Sequence, residues 1–186
     1  MADLGEVRAT CGGTQAGNRA KGRVVSGAEA SGGLPSDDAH ANIRLRPVGV
    51  ADVPLFFEFQ RDPLAARMAA ATPLSRGDHD ALWRDVLADP EILARAIVVD
   101  GEVAGSLTSW SQWEQRQVGY WLGRDHWGRG VATTALALFL CELTVRPVHA
   151  YVAGSNVASQ RVLEKCGFRP DGLEGDGSLL GYVLDV

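Results

Sequence analysis

The chain has 186 residues, of which 46% are hydrophobic and 22% are charged, and its formal net charge is −5 at pH 7. This length and apolar content suffice for one domain with its own core. The acidic balance argues against nucleic acid as a partner, and the chain has no apolar run near the roughly 20 residues that cross a bilayer.

The cysteines give no sign of a disulfide framework or of a metal site. Cys11, Cys141 and Cys166 are an odd number, and neither they nor the four histidines show metal-ligand spacing. We expect Cys141 and Cys166 to be small buried side chains. Because the first residues also lack the charged-then-apolar pattern of a secretory signal, we expect a cytoplasmic protein without a membrane partner.

The chain divides near residue 41. Residues 1–41 are rich in Gly, Ala and Ser, contain no Phe, Trp or Tyr, and show no sustained hydrophobic period. Such a segment buries too little apolar surface to offset its ordering entropy, so we predict a disordered tail. Residues 42–186 carry the patterns of regular structure and form the predicted domain.

The first half of this domain begins with an alternating strand over 43–47, which Pro47 ends. Asp52 is the predicted N-cap of a helix that continues to Gln60, and a shorter helical piece follows Asp62-Pro63. A further helix is predicted over 78–87, because Leu82, Trp83 and Val86 form an apolar stripe.

The second half alternates strands and helices. Two β-rich runs, 95–99 and 103–110, flank an Asp100-Gly101 turn and predict a hairpin. A turn near Glu114 leads to a strand over 118–122, then come a helix over 132–143, a strand over 148–153 and a helix capped by Asn156. Two final strands surround a glycine-rich turn over 172–177. The order predicts an α/β domain with a mixed, twisted central sheet flanked by helices.

The run QVGYWLGRDHWGRGVATT, residues 117–134, passes from strand to helix across a glycine-bearing loop. Amide groups in a first helical turn have no intrahelical partners, and the helix dipole adds positive potential there. Gly128 and Gly130 have no Cβ, so a phosphate can approach the main chain closely. We therefore predict that this loop binds a pyrophosphate.

Two nucleotide-binding motifs fit this loop less well. The nucleotide P-loop requires Lys and then Ser or Thr after its last glycine, and Arg129 and Gly130 occupy those places. The dinucleotide fingerprint would start at Gly128 and would need a third glycine where Thr133 stands. Neither motif is complete.

The segment Trp127-Gly128-Arg129-Gly130-Val131-Ala132 resembles the acyl-coenzyme A loop of the GNAT superfamily of N-acetyltransferases, Q/R-x-x-G-x-G/A. Trp127 departs from the first position, as it does in the branch that resembles ribosomal-protein N-terminal acetyltransferases. A second block, Asn156-x-x-Ser159 followed by Glu164-Lys165-Cys166-Gly167-Phe168, is similar to the next motif of that superfamily. Together the two motifs identify a GNAT-type domain over about 42–186.

The resemblance implies the GNAT fold and acetyl-coenzyme A (acetyl-CoA) as co-substrate, with no metal. It implies a primary amine as acceptor, either a protein N-terminus or a small molecule, and it is compatible with a homodimer. The matching positions imply these coenzyme-binding residues: Tyr120, Trp121, Leu122, Trp127, Gly128, Arg129, Gly130, Val131, Ala132, Thr133 and Asn156.

Acetyl transfer to an amine requires loss of the amine proton, stabilisation of the carbonyl oxygen and a proton or hydrogen bond for the leaving thiolate. By resemblance, backbone amides near 120–122 stabilise the oxygen during direct attack by the amine. The same resemblance makes Ser159 the candidate donor to the thiolate and implies that Asn156 contacts the pantetheine. Glu114 is the candidate base, with a water chain as the alternative. His126 is expected to pack near the coenzyme.

Two departures from the family pattern leave a second hypothesis open. Relatives often have Glu where Gln117 stands and Tyr where Leu163 stands. The alternative is therefore a non-catalytic acyl-CoA-binding regulatory domain of the same fold. The acceptor wall, which the first helical segments form in this family, is expected to include Phe56, Phe57, Phe59 and Trp83.

Overall fold

The computed structural model describes residues 41–174 and 177–186. The tail predicted over 1–41 lies outside these residues except for Ala41, which is partly buried against the core. In the described part of the chain, no helix is long and apolar enough to cross a membrane.

Seven strands form one mixed sheet in the order β1-β2-β3-β4-β5-β7-β6. The strands are β1 (Ile43–Pro47), β2 (Leu93–Val99), β3 (Glu102–Gln112), β4 (Gln115–Leu122), β5 (Val148–Ala153), β6 (Arg169–Glu174) and β7 (Leu179–Leu184). The helices are α1 (Val53–Gln60), α2 (Pro63–Ala69), α3 (Arg76–Ala88), α4 (Val131–Glu142) and α5 (Val157–Lys165). This architecture confirms the predicted mixed α/β sheet flanked by helices.

Strands β4 and β5 form the parallel pair of the sheet, and they part soon after they meet. Their register joins Arg116 to Val148 and Gln117 to His149, and no later pair is joined within the described residues. Strand β4 continues to Leu122 and stays paired with β3 on its other side. The two strands therefore form a V. Its open end lies where β4 leads into the segment over 123–130, the glycine loop.

Helices cover both faces of the sheet. On one face, α4 and α5 bury Phe139 and Leu163 against Leu107, Val118 and other apolar strand residues. On the other face, α1 and α3 pack Phe56 and Trp83 on Ala96, with their two rings 4.8 Å apart. The apolar stripe predicted on α3 is confirmed, since Leu82, Trp83 and Val86 are all buried.

Two local predictions need correction. Asp52 is the N-cap residue of α1, as predicted, but its side chain does not cap the helix; its carboxylate accepts bonds from the Arg46 guanidinium and from the N–H of Gly49 instead. That carboxylate is held by a charged partner six residues earlier, which outcompetes the uncharged amides of the helix start. Cys141 is exposed on the outer side of α4, whereas Cys166 is buried as expected.

His79, on α3, lies fully buried with its ring 5.3 Å from that of Phe57. Burial lowers the pKa of this imidazole below its ordinary value of 6.5. The neighbouring carboxylate of Asp80 raises this pKa by less, and the charge of Arg76 lowers it further. Because the unfolded chain takes up the proton first, folding stability is lost as pH falls below about 6.5. Stability that depends on Asp52, whose pKa Arg46 lowers, is lost only below the unfolded value of 3.8.

We therefore expect the free energy of unfolding to decrease between pH 7 and pH 5, by at most about 1.4 kcal/mol per pH unit for one proton. Urea denaturation at several pH values measures this slope. In His79→Leu the slope over this interval should flatten, whatever the absolute stability of the variant. An unchanged slope would assign the pH dependence to other groups.

Candidate functional site

A cavity of about 420 Å³ opens beside the end of β4, beyond the point where β4 and β5 part. Its walls come from the end of β4, the glycine loop, the first turn of α4, one side of α5 and a face of α2. Most of the residues expected to bind the coenzyme line it: Tyr120, Trp121, Leu122, Trp127, Gly128, Gly130, Val131, Ala132, Thr133 and Asn156, together with Ser159. Residues distant in sequence thus converge on one cavity.

The glycine loop and the first turn of α4 form one wall of this cavity. Gly128 and Gly130 have φ values of 71° and 75°, a left-handed conformation that glycine adopts without strain. Apart from the adjacent residues of the chain, no heavy atom of the described residues lies within 4 Å of the position that a Cβ would take at either glycine. Gly130 is the N-cap of α4 and no side chain caps this helix, an arrangement that suits anion binding at its first N–H groups.

A hydrogen bond from Trp127 holds the glycine loop in place. The indole N–H of Trp127 donates to the carbonyl of Leu122 at 3.0 Å, which closes the loop back on the end of β4. The N–H of Gly123 donates to Ala104 on β3 at 2.8 Å. The indole hydrogen bond gives Trp127 a structural role at the position where the family motif has Gln or Arg.

Helix α5 runs along the cavity and gives it two different ends. Its first end carries Asn156, whose Oδ1 accepts the N–H of Ser159 at 3.1 Å, so the predicted cap is confirmed. Its last end lies beside the start of α4, where Cys166 contacts the carbonyl of Thr133 with its sulfur at 3.7 Å. The uncapped start of α4 thus lies near one end of α5, and the buried Asn156 and Ser159 lie at the other.

Sequence reasoning missed two cations and an apolar wall. Arg161 and Lys165 lie on α5 and line the cavity, as do Ala158 and Ser159. Spacing gave the signal, because 158, 161 and 165 are three and four residues apart and so share one side of a helix. Three residues of α2, Ala65, Met68 and Ala69, supply the wall opposite α5.

Several predicted residues are not brought to the cavity. Arg129 is exposed on the loop and does not line it. Glu114 lies in the exposed turn before β4, six residues from Tyr120, which is about 20 Å along an extended strand. The structure thus places Glu114 at the closed end of the V, away from the reacting region expected near Tyr120.

The four aromatic residues expected in the acceptor wall are not among those that line the cavity. Phe56 and Trp83 belong to the core beneath α1 and α3, and the ring of Phe57 contacts the guanidinium groups of Arg61 and Arg76. Phe59 packs against the start of the loop, where a Cβ on Gly123 would lie 2.6 Å from its ring.

Helices α1 and α2 are nevertheless tied to the loop. The indole N–H of Trp121 donates to the carbonyl of Phe59 at 2.9 Å, and Arg124 pairs with Asp62 at 3.2 Å. Asp62 also caps α2, and the amides of Ala65 and Leu64, followed by Arg124, lower the pKa of its carboxyl. These contacts join α1 and α2 to the end of β4 and the start of the glycine loop.

Two buried nitrogen atoms near the V have no hydrogen-bond partner among the described residues. They are Nε2 of Gln117, where β4 and β5 part, and Nδ1 of His126, which lines the cavity as expected. Within the described residues, no three His, Cys, Asp or Glu side chains cluster as metal ligands.

Comparison with protein families gives a match to the model of the Acetyltransferase (GNAT) domain over residues 42–169. Among curated proteins, the chain is 29% identical over 102 residues to "Putative ribosomal N-acetyltransferase YdaF" of Bacillus subtilis (strain 168). That alignment covers 51% of this chain and 56% of the relative, so the chain spans about half the length of the curated protein that it matches.

Solved structures give the same fold. An acetyltransferase from Agrobacterium tumefaciens str. C58 has a TM-score of 0.68 and 22% identity, with 89% of this chain and 100% of that chain covered. The aminoglycoside acetyltransferase AAC(6')-Ib, in complex with coenzyme A and kanamycin, has a TM-score of 0.66 and 19% identity, with 77% and 95% covered. At these identities the likeness shows the architecture only.

Proposed function

Because the chain belongs to the GNAT acetyltransferase family, and is therefore an acyltransferase, we propose that it transfers an acetyl group from acetyl-CoA to a primary amine. The amine attacks directly while both substrates are bound. One observation carries the proposal: the uncapped start of α4 and the paired hydroxyls of Tyr120 and Ser159 face the same cavity.

The residues present fit the coenzyme. The free N–H groups in the first turn of α4 suit a diphosphate, and Gly128 and Gly130 leave space for it. Arg161 and Lys165 add positive charge at this end of the cavity. When bound, acetyl-CoA supplies the thioester whose acyl group is transferred.

The acyl end lies toward Asn156 and Ser159 in this proposal. The register of β4 with β5 extends no further than Gln117 and His149 among the described residues, and we assign backbone amides near 120–122 as donors to the carbonyl oxygen of the thioester. Ser159, 8% exposed and held by Asn156, offers its hydroxyl to the departing sulfur. Since Glu114 lies far from this region, we assign the amine proton to water in the cavity.

The amine approaches along α2, past Ala65, Met68 and Ala69. Two acceptor classes are proposed, a protein N-terminus and a small-molecule amine. The first is supported by the name of the Bacillus subtilis relative, and the second by the kanamycin complex of the structural neighbour. The second class includes polyamines, amino acids and aminoglycosides.

A thiol-release assay tests the function. The full chain is incubated with acetyl-CoA and a panel of peptides with free N-termini, polyamines and aminoglycosides, and products are identified by their acetyl mass shift. We expect release of coenzyme A with at least one amine class. Binding of acetyl-CoA in calorimetry without thiol release on any amine would contradict catalysis and favour a regulatory acyl-CoA-binding domain.

Charge reversal at Arg161 and Lys165 tests the orientation of the ligand. We expect Arg161→Glu and Lys165→Glu each to raise the Kd of acetyl-CoA about 10-fold at low salt, with a smaller effect at high salt. Arg44→Glu, an exposed side chain on the edge strand β1, is the matched control and should leave the Kd unchanged. Equal effects of all three variants would reduce the result to net charge.

A further inference from the structure

Two hydroxyl groups meet across the cavity. Oη of Tyr120, on β4, lies 3.1 Å from Oγ of Ser159, on α5, and either atom can be the donor. The two residues are 39 positions apart in the chain, and both line the cavity. Asn156 fixes the backbone of Ser159, so the contact joins two held elements.

The chemistry of the pair is directional. A hydroxyl carries one proton and can accept two hydrogen bonds. When Tyr120 donates to Ser159, the proton of Ser159 becomes available to a third atom in the cavity. A phenol, with an ordinary pKa of about 10, is a much stronger acid than an aliphatic alcohol. Ser159 alone is therefore a poor proton donor. Tyr120 can supply it with a more acidic proton through their hydrogen bond.

We propose that Tyr120 is a positioning residue, whose hydroxyl orients Ser159 and replaces the proton that Ser159 gives up. This inference rests on the proposed acetyl transfer. As the carbon–sulfur bond breaks and its electron pair stays on sulfur, Ser159 passes its proton to that sulfur and takes the proton of Tyr120. Tyr120 recovers a proton from water, which has received the one lost by the attacking amine, so the protons balance.

Hydroxyl deletions test the pair. We expect Tyr120→Phe and Ser159→Ala each to lower kcat at least about 10-fold, with little change in the KM for acetyl-CoA. Because the two groups act as a unit, the double variant should be no slower than Ser159→Ala. Tyr151→Phe is the matched control, since Oη of Tyr151 donates to Gln115 at 2.7 Å without lining the cavity. It should keep the wild-type kcat.

A second measurement separates proton transfer from simple bracing. Site-specific replacement of Tyr120 by 3,5-difluorotyrosine keeps the ring and the hydroxyl but makes the phenol more acidic. The alkaline limb of the kcat–pH profile should then move to lower pH. If the wild-type chain is active, the inference alone would be overturned by either of two results. One is an unchanged kcat in Tyr120→Phe, and the other is an alkaline limb that does not move with difluorotyrosine. Absence of thiol release by the wild-type chain on every amine would overturn the proposed function and this inference together.

Discussion

Replacing Gly130 by Val lowers the affinity for acetyl-CoA by about 100-fold or more in our expectation, or about 2.7 kcal/mol. Gly130 is the N-cap of α4 and has a φ of 75°, and the position of its absent Cβ faces open space. A branched side chain there would occupy the volume in front of the free N–H groups, where the diphosphate is proposed to lie. Isothermal calorimetry with the full chain measures the change in Kd.

The control for this variant is Gly101→Val. Gly101 lies in the turn between β2 and β3, has a φ of 96°, and also has no atom within 4 Å of a Cβ position. Both variants share the strain of a β-branched residue in the left-handed region, which costs roughly 1–2 kcal/mol. Only Gly130→Val should lose binding; intact affinity in that variant would remove the diphosphate from the loop.

Replacing Gly105 by Ala should reduce the free energy of unfolding by about 3 kcal/mol and the melting temperature by about 6–12 °C. A Cβ on Gly105 would lie 2.2 Å from the carbonyl oxygen of Trp121 and 3.0 Å from the Cα of Leu122. Both are backbone atoms, so no side-chain rotation relieves the clash, and β3 and β4 must separate. Thermal and urea denaturation measure the loss.

This substitution should also weaken acetyl-CoA binding, because Trp121 and Leu122 lead directly into the glycine loop. Gly181→Ala on β7 is the matched control, since its Cβ would meet Tyr151 at an ordinary 3.5 Å. We expect that variant to lose less than about 1 kcal/mol. Equal losses in the two variants would show that glycine in a strand, rather than the approach of β4, sets the effect.

Much of the coenzyme half could be predicted from the sequence because its signals are local. Gly128 and Gly130 stand immediately before an apolar run, and the uncapped helix start that they predict is formed by consecutive residues. Asn156 likewise caps a helix through a contact only three residues away. Alternation and helical periodicity placed the strands and helices within a few residues of their observed bounds.

Tertiary contacts decided the rest. Pairing of β4 with β5 ends at Gln117 and His149, and this opens the V. Neither residue is of a type that predicts the end of strand pairing from the sequence. The same packing brings Tyr120 to Ser159 and turns Arg161 toward the cavity, while an extended strand carries Glu114 away from it. Periodicity and propensity are properties of neighbouring residues, so the sequence by itself determined the helices, the strands and the conformation of the glycine loop. Which side chains share one cavity depends on strand pairing and helix packing between distant residues, and only the folded structure decided that.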